Sequence, residues 1–160
     1  MRFLFYGTLM AGSGNAVSAR IHACLLPLGP ATLYGRLFAI PSPQGWYPAL
    51  EAGRGRGMVH GHAYAPGPGW SDADFHFLDA YEGYDPARPE ASDYVRRPLA
   101  ASIAGRARRA DAYVYRPALP DGARPIPHGD WNGWLAETGL PPYTADAAEI
   151  ADLLARSGRT

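Results

Sequence analysis

The chain predicts an α+β fold, a small mixed or antiparallel β-barrel with flanking helices. Three observations point there. Strand-like segments outnumber helical ones, and they do not alternate regularly with helices as a doubly wound parallel sheet requires. Two strand-like segments carry interior glycines, Gly35 and Gly61, which suit strong curvature or close backbone approach. Residues 2–6 (RFLFY) read as a first strand ending at a glycine turn. A short helix follows Asn15, and residues 31–40 form the next strand. Residues 58–65 alternate apolar with polar, residues 94–103 give a fourth strand broken or edged by Pro98, and 108–116 a fifth. Ala104-Gly105 sits where a hairpin turn between the last two falls. Helical spacing elsewhere is confined to a segment starting at Ser71, to residues 130–137 before Gly139 and Pro141-Pro142, and to residues 144–157 with Gly158 as C-cap. In the last, Ala147, Ile150, Leu153 and Leu154 share a face. With 160 residues, no repeat and no linker, one domain spanning 1–160 is expected.

Composition narrows the chemistry. The net charge is zero, so no polyanion, nucleic acid or membrane surface is strongly attracted. All 15 basic residues are Arg. Without Lys, Schiff-base catalysis and a Walker-type phosphate loop are excluded. The single cysteine, Cys24, forbids an intrachain disulfide and reads as a buried structural thiol in preference to a nucleophile. The N-terminus lacks the apolar length of a signal peptide or membrane span, so a cytoplasmic protein is expected.

The segment 75–84 (FHFLDAYEGY) holds the main candidate. With Ser71 as N-cap and Asp74 at the capping-box position, a helical wheel puts Glu82 between Phe75 and Leu78. Phe77, Tyr81 and Trp70 complete the apolar arc. A carboxylate on that face is costly unless it is used. Burial raises its pKa and fits it to exchange a proton near neutral pH. The alternative is that Glu82 merely ends the helix. Asp79, just outside the arc, reads as a solvated edge residue.

Other motifs carry less. Gly12-Ser13-Gly14 lacks the third glycine of a dinucleotide loop. His60 and His62 share one strand face, as zinc ligands can, but no third ligand is apparent. No Gly-x-Ser-x-Gly elbow supports a serine triad. Residues 6–9 (Tyr-Gly-Thr-Leu) say more. Where the first strand stops at Gly7, backbone N–H groups are released and a ligand can approach them closely. Such a loop can hold a carboxylate or an oxyanion.

These pieces, taken in order, resemble the gamma-glutamylcyclotransferase-like family. Tyr6-Gly7-Thr8-Leu9 resembles its signature loop. Gly35-Arg36-Leu37, Tyr47-Pro48-Ala49-Leu50 and the strand Val59-His60-Gly61-His62-Ala63-Tyr64 resemble its next segments. Leu78-Asp79-Ala80-Tyr81-Glu82-Gly83-Tyr84 resembles the helix with the catalytic Glu. Tyr94-Val95-Arg96-Arg97 and Ala112-Tyr113-Val114-Tyr115 resemble the last two strands, and Gly129-Asp130-Trp131 a motif of bacterial members. The core match covers about residues 3–116, with a less diagnostic helical tail over 126–160.

The resemblance implies a barrel with flanking helices and an enzyme that cyclises a gamma-glutamyl group to 5-oxoproline, releasing an amine or amino acid. Glu82 would be general base and then acid. Tyr6, Gly7, Thr8 and Leu9 would bind the alpha-carboxylate or the developing oxyanion. Tyr94 would border the site, and Tyr113 or Tyr115 would close it. No metal or organic cofactor is implied, and the expected partner is a small gamma-glutamyl compound. The alternative is a non-catalytic module binding such a metabolite or a peptide in the same pocket. The walls facing the leaving amine are expected from residues 41–50 and 117–131.

Overall fold

A computed structural model describes residues 1–157. Five strands close a barrel: β1 (Phe3–Phe5), β2 (Leu25–Ser42), β4 (Met58–Pro66), β5 (Tyr94–Ile103) and β6 (Arg106–Tyr115). The order around it is β2-β4-β1-β6-β5, and β5 returns to β2 through Ala31↔Ile103 to Leu33↔Ala101. All neighbours are antiparallel except β1 and β6, which run parallel. Two short additions, β3 (Gly45–Ala52) and β7 (Arg124–Ile126), flank the far half of β2. The predicted mixed barrel with flanking helices is therefore present.

The two interior glycines explain how the barrel closes. A Cβ on Gly61 would overlap the Phe5 carbonyl oxygen, so its absence lets the end of β1 lie against β4. Gly35 is where β2 passes from β4 to β3, and its Cβ would stand 2.8 Å from the Glu51 carbonyl oxygen. The Ala104-Gly105 hairpin forms with φ of 48° and 77°. Pro98 does not break β5; it lies where that strand has only β6 beside it.

Strand bounds differ from expectation where proline and glycine hide them. β2 begins at Leu25 and runs through Pro27, Gly29 and Pro30, with a bulge between Pro27 and Gly29. β3 contains Pro48, tolerated because β3 ends the sheet, with only an isolated bridge from Trp46 to Pro142 beyond it. Cys24 is half-buried, not buried, since it lies in the turn between α1 (Ala16–His22) and β2 and not in a strand.

The helices follow their caps. Asn15 caps α1, its Oδ1 accepting from Val17 N at 2.8 Å. In α2 (Asp72–Tyr81) the Asp74 carboxylate accepts from the Ser71 N–H and hydroxyl at 2.9 and 2.8 Å. Asp130 caps α3 (Trp131–Thr138), and Gly139 ends it in the left-handed conformation. α4 (Ala147–Ser157) packs beside α2 and buries Leu153. Ala147 and Leu154 of its expected face stay exposed, because the contact with the core runs through Ile150 and Leu153 alone. The expected cap Gly158 lies outside the described residues. Among the described residues no helix is long and apolar enough to cross a membrane.

Candidate active site

A cavity of about 370 Å³ opens between the end of β1, the C-terminal end of α2, β3, the start of β5 and the end of β6. Glu82, Tyr6, Gly7, Thr8, Leu9, Tyr94, Tyr113 and Tyr115 all line it. The structure thus brings together every residue singled out in the sequence for catalysis or substrate binding.

Glu82 is the C-cap that follows α2 and also part of the cavity wall, so the two readings of it coincide. Tyr84 N–H donates to Asp79 O at 2.8 Å and Gly83 N–H to Ala80 O at 3.2 Å. This Schellman pattern needs a left-handed residue, supplied by Gly83 at φ 63°. Gly83 turns the chain away and leaves the Glu82 side chain at the helix end. Its carboxylate has no hydrogen bond or ion pair among the described residues. Burial pushes its pKa up to about 8, and the nearby charge of Asp79 adds to the rise.

Asp79 is not a solvated edge residue. It is only 4 % exposed. Arg96 forms two bonds to it, Nε to Oδ1 at 2.9 Å and Nη2 to Oδ2 at 3.2 Å, and the Tyr113 hydroxyl donates to Oδ1 at 2.6 Å. These partners come from β5 and β6, so one buried carboxylate ties α2 to the barrel wall.

The loop after β1 has a consistent polarity. Its carbonyls are all occupied: Gly7 O accepts from Met10 N at 3.0 Å, Thr8 O from the Ser13 hydroxyl at 2.7 Å, and Leu9 O from Ser18 Oγ and His22 Nε2. No described residue accepts from the N–H of Gly7, Thr8 or Leu9. Three successive donors on the cavity wall are therefore unused, the arrangement that suits a small anion. Leu9 offers only its backbone, because its side chain is buried.

Gly7 also answers to packing. A Cβ there would overlap the Pro48 ring, so the residue is required by β3 as much as by any ligand. Pro48 in turn accepts from the Tyr94 hydroxyl at 2.6 Å. The Tyr6 hydroxyl donates to Tyr113 O at 2.6 Å. Tyr6, Tyr94 and Tyr113 thus spend their hydroxyls on the scaffold, and burial, the main cause, pushes all three pKa values up. They offer rings to the cavity. Tyr115 keeps its hydroxyl free of partners among the described residues.

Sequence reasoning missed several wall residues. Tyr81 meets Thr8 Oγ1 at 3.2 Å and accepts from Asn15 Nδ2 at 2.9 Å, linking α2 to the loop and to the α1 cap. Its place next to Glu82 was a usable signal. Ser42, Gln44 and Tyr47 fall within the expected 41–50 wall, whereas none of 117–131 lines the cavity. Tyr143 comes from the tail, held by Tyr143 N–H to Trp46 O at 2.6 Å and by its hydroxyl on Glu149. Nothing in the sequence marked it. His60 and His62 lie exposed on the outer face of β4, and no third His, Cys, Asp or Glu joins them among the described residues.

A family model described as gamma-glutamyl cyclotransferase, AIG2-like matches residues 3–133. The chain belongs to this family. The match runs beyond the expected 116 and takes in Gly129-Asp130-Trp131, whose parts have clear duties. A Cβ on Gly129 would overlap the Met58 carbonyl oxygen, Asp130 caps α3, and Trp131 is buried. Among solved structures, a mouse (Mus musculus) AIG2-like protein is 18% identical with TM-score 0.64, covering 91% of this chain and 96% of that one. A protein titled gamma-glutamyl cyclotransferase is 16% identical with TM-score 0.56, covering 97% and 98%. YkqA from Bacillus subtilis is 17% identical with TM-score 0.60; the match covers 86% of this chain and 42% of that longer one. At these identities the likeness speaks for the fold. Comparison with curated proteins gave no match.

Proposed function

We propose that the protein is a gamma-glutamyl cyclotransferase-type enzyme, converting a small gamma-glutamyl compound to 5-oxoproline and a free amine or amino acid. The observation that carries this reading is one unpaired carboxyl, Glu82, with its pKa pushed up to about 8, in the same cavity as three unused backbone donors. Family membership supports it.

The substrate's alpha-carboxylate, or the oxyanion that develops on the amide carbonyl, takes the N–H groups of Gly7, Thr8 and Leu9. The alpha-ammonium gives a proton to Glu82 and its nitrogen attacks the gamma-amide carbon. The tetrahedral centre collapses, the bond from that carbon to the amide nitrogen breaks, and Glu82 returns the proton to the departing nitrogen. A second proton leaves the attacking nitrogen and reaches the departing one as the lactam forms, so nothing external is consumed. Because nucleophile and electrophile are already tethered, holding one rotamer against Tyr6, Tyr94, Tyr113 and Tyr115 supplies much of the rate. A pKa near 8 lets one group serve both proton steps.

The test is a screen of gamma-glutamyl amino acids, gamma-glutamylamines and glutathione, with 5-oxoproline detected by mass spectrometry. Glu82→Gln is run alongside; the amide fills the same space but shuttles no proton, so turnover should fall by about 10²–10⁴-fold. Near-normal turnover by Glu82→Gln would remove the role assigned to this residue.

A further inference from the structure

The cavity draws its wall from two parts of the chain. Among the described residues, every one that lines it lies at or before Tyr115, with the exception of Tyr143. The family match stops at residue 133. Tyr143 therefore joins the site from outside the matched region, on the strap of residues 140–145 between α3 and α4.

The strap is fixed without help from the Tyr143 ring. Pro141 and Pro142 stiffen it. Trp46 N–H donates to Pro141 O at 2.9 Å and Tyr143 N–H to Trp46 O at 2.6 Å, which bridges the strap to β3. At the turn between β2 and β3 it passes so near Gly45 that a Cβ there would stand 2.5 Å from Pro142 O. Leu140 and Ala145 pack against the core.

The ring has a different duty. It is half-buried, and its centroid lies 6.3 Å from that of Tyr47 on β3 and 6.4 Å from that of Tyr81 at the end of α2. It stands in the gap between these two walls. Its hydroxyl donates to the Glu149 carboxylate, 2.5 and 2.6 Å from the two oxygens, so it has no proton left for a ligand. Glu149 does not line the cavity. It belongs to α4, which packs on α2, and its N–H donates to Asp146 Oδ1 at 2.8 Å. Tyr143 thus presents the cavity with an uncharged ring clamped in one place.

We propose that Tyr143 is a size-selecting residue. Its ring closes the side of the cavity between Tyr47 and Tyr81 and limits the bulk that a substrate can place there, and Glu149 is the positioning residue that holds it. This rests on the cyclotransferase reading and refines it. A bulky group must overlap the clamped ring or displace it, whereas a small one meets neither cost.

Three neutral gamma-glutamyl conjugates of rising bulk test this: those of methylamine, isobutylamine and benzylamine. Two measurements are made, kcat/KM with active protein and Kd by calorimetry in the Glu82→Gln background. Tyr143→Ala should raise the benzylamine-to-methylamine ratio about tenfold. Tyr143→Leu, which keeps an apolar side chain on the strap, gives a smaller rise in the same direction and replaces it if Tyr143→Ala does not fold. Glu149→Ala should raise the ratio several-fold in the wild type and leave it unchanged in Tyr143→Ala, because it acts only through the ring. Glu149→Gln, which still accepts a hydrogen bond, should restore most of the selectivity. A change equal for all three conjugates, or none, overturns the inference and leaves the cyclotransferase reading standing. A Glu149→Ala effect that persists in Tyr143→Ala overturns the positioning role. If no conjugate turns over but the Kd ratio shifts as stated, the wall is supported and the catalytic reading fails. Neither turnover nor binding overturns both.

Discussion

A carboxyl that keeps its proton to about pH 8 leaves a mark on stability as well as on rate. In the unfolded chain Glu82 releases its proton near the ordinary value of 4.5. Between these limits the native state binds more protons than the unfolded state, so this residue makes stability fall as pH rises. Below about 4.5 both states are protonated and the penalty vanishes. Glu82→Gln has no such penalty. Its advantage in unfolding free energy over the wild type should grow from near zero at pH 4.5 to about 1–3 kcal/mol at pH 9, well below the unscreened limit because the cavity admits water. Urea denaturation at several pH values measures the gap, and a gap that stays constant with pH would show that the proton is not held. In the wild type, kcat/KM should climb through a pKa near 8 as the basic form appears. This residue was legible in the sequence for a physical reason. A carboxylate between Phe75 and Leu78 on the apolar arc of its helix is costly to bury and stands out as a residue with another purpose.

At the scale of elements, the end of α2 is set by its tie to β5 and β6. Asp79→Asn keeps the shape of the side chain and removes the charge that Arg96 and Tyr113 meet. It should cost about 1–3 kcal/mol, since it weakens three hydrogen bonds and leaves Arg96 with Asp111, 3.5 Å away, as its remaining acid partner. The same change removes the second cause of the raised Glu82 pKa, so the acidic limb of the rate profile should move to lower pH. A purely structural tie would lower stability and leave that limb in place; the pH profile of the remaining activity distinguishes the two. Asp79 was misread from sequence because a helical wheel contains only its own helix. Its partners lie 17 and 34 residues away on other elements. β3 was missed for a related reason: Pro48 looks like a break until β2 is known to lie on one side only. The capping box of α2 was readable because Ser71 and Asp74 are near neighbours in the chain.

Across the whole molecule, barrel closure rests on places where two backbones come closer than any side chain allows. Interior glycine was a legible sign of this, and it gave the architecture before any pairing was known. What it left hidden was the pairing itself, because the parallel contact of β1 with β6 joins segments about a hundred residues apart, as Phe3↔Asp111 shows. Gly61 allows a test in which backbone freedom and crowding predict opposite signs. Its φ is not in the left-handed region, so an alanine without steric trouble would stabilise slightly by restricting the unfolded chain. The Phe5 carbonyl oxygen and Tyr6 Cα occupy the space that Cβ needs, and neither is a flexible side-chain end that can swing away. Gly61→Ala should therefore push β1 off β4, with a loss of at least about 3 kcal/mol or failure to fold. Gly12 is the matched control. Its φ is 76° and nothing lies within 4 Å of its Cβ direction, so Gly12→Ala should cost only about 1 kcal/mol of backbone strain. Thermal melts of the two variants decide it. A Gly61→Ala protein as stable as the wild type would mean that β1 and β4 tolerate a wider spacing, and the loop over residues 6–9, which β1 delivers to the cavity, would then owe its position to Pro48 instead.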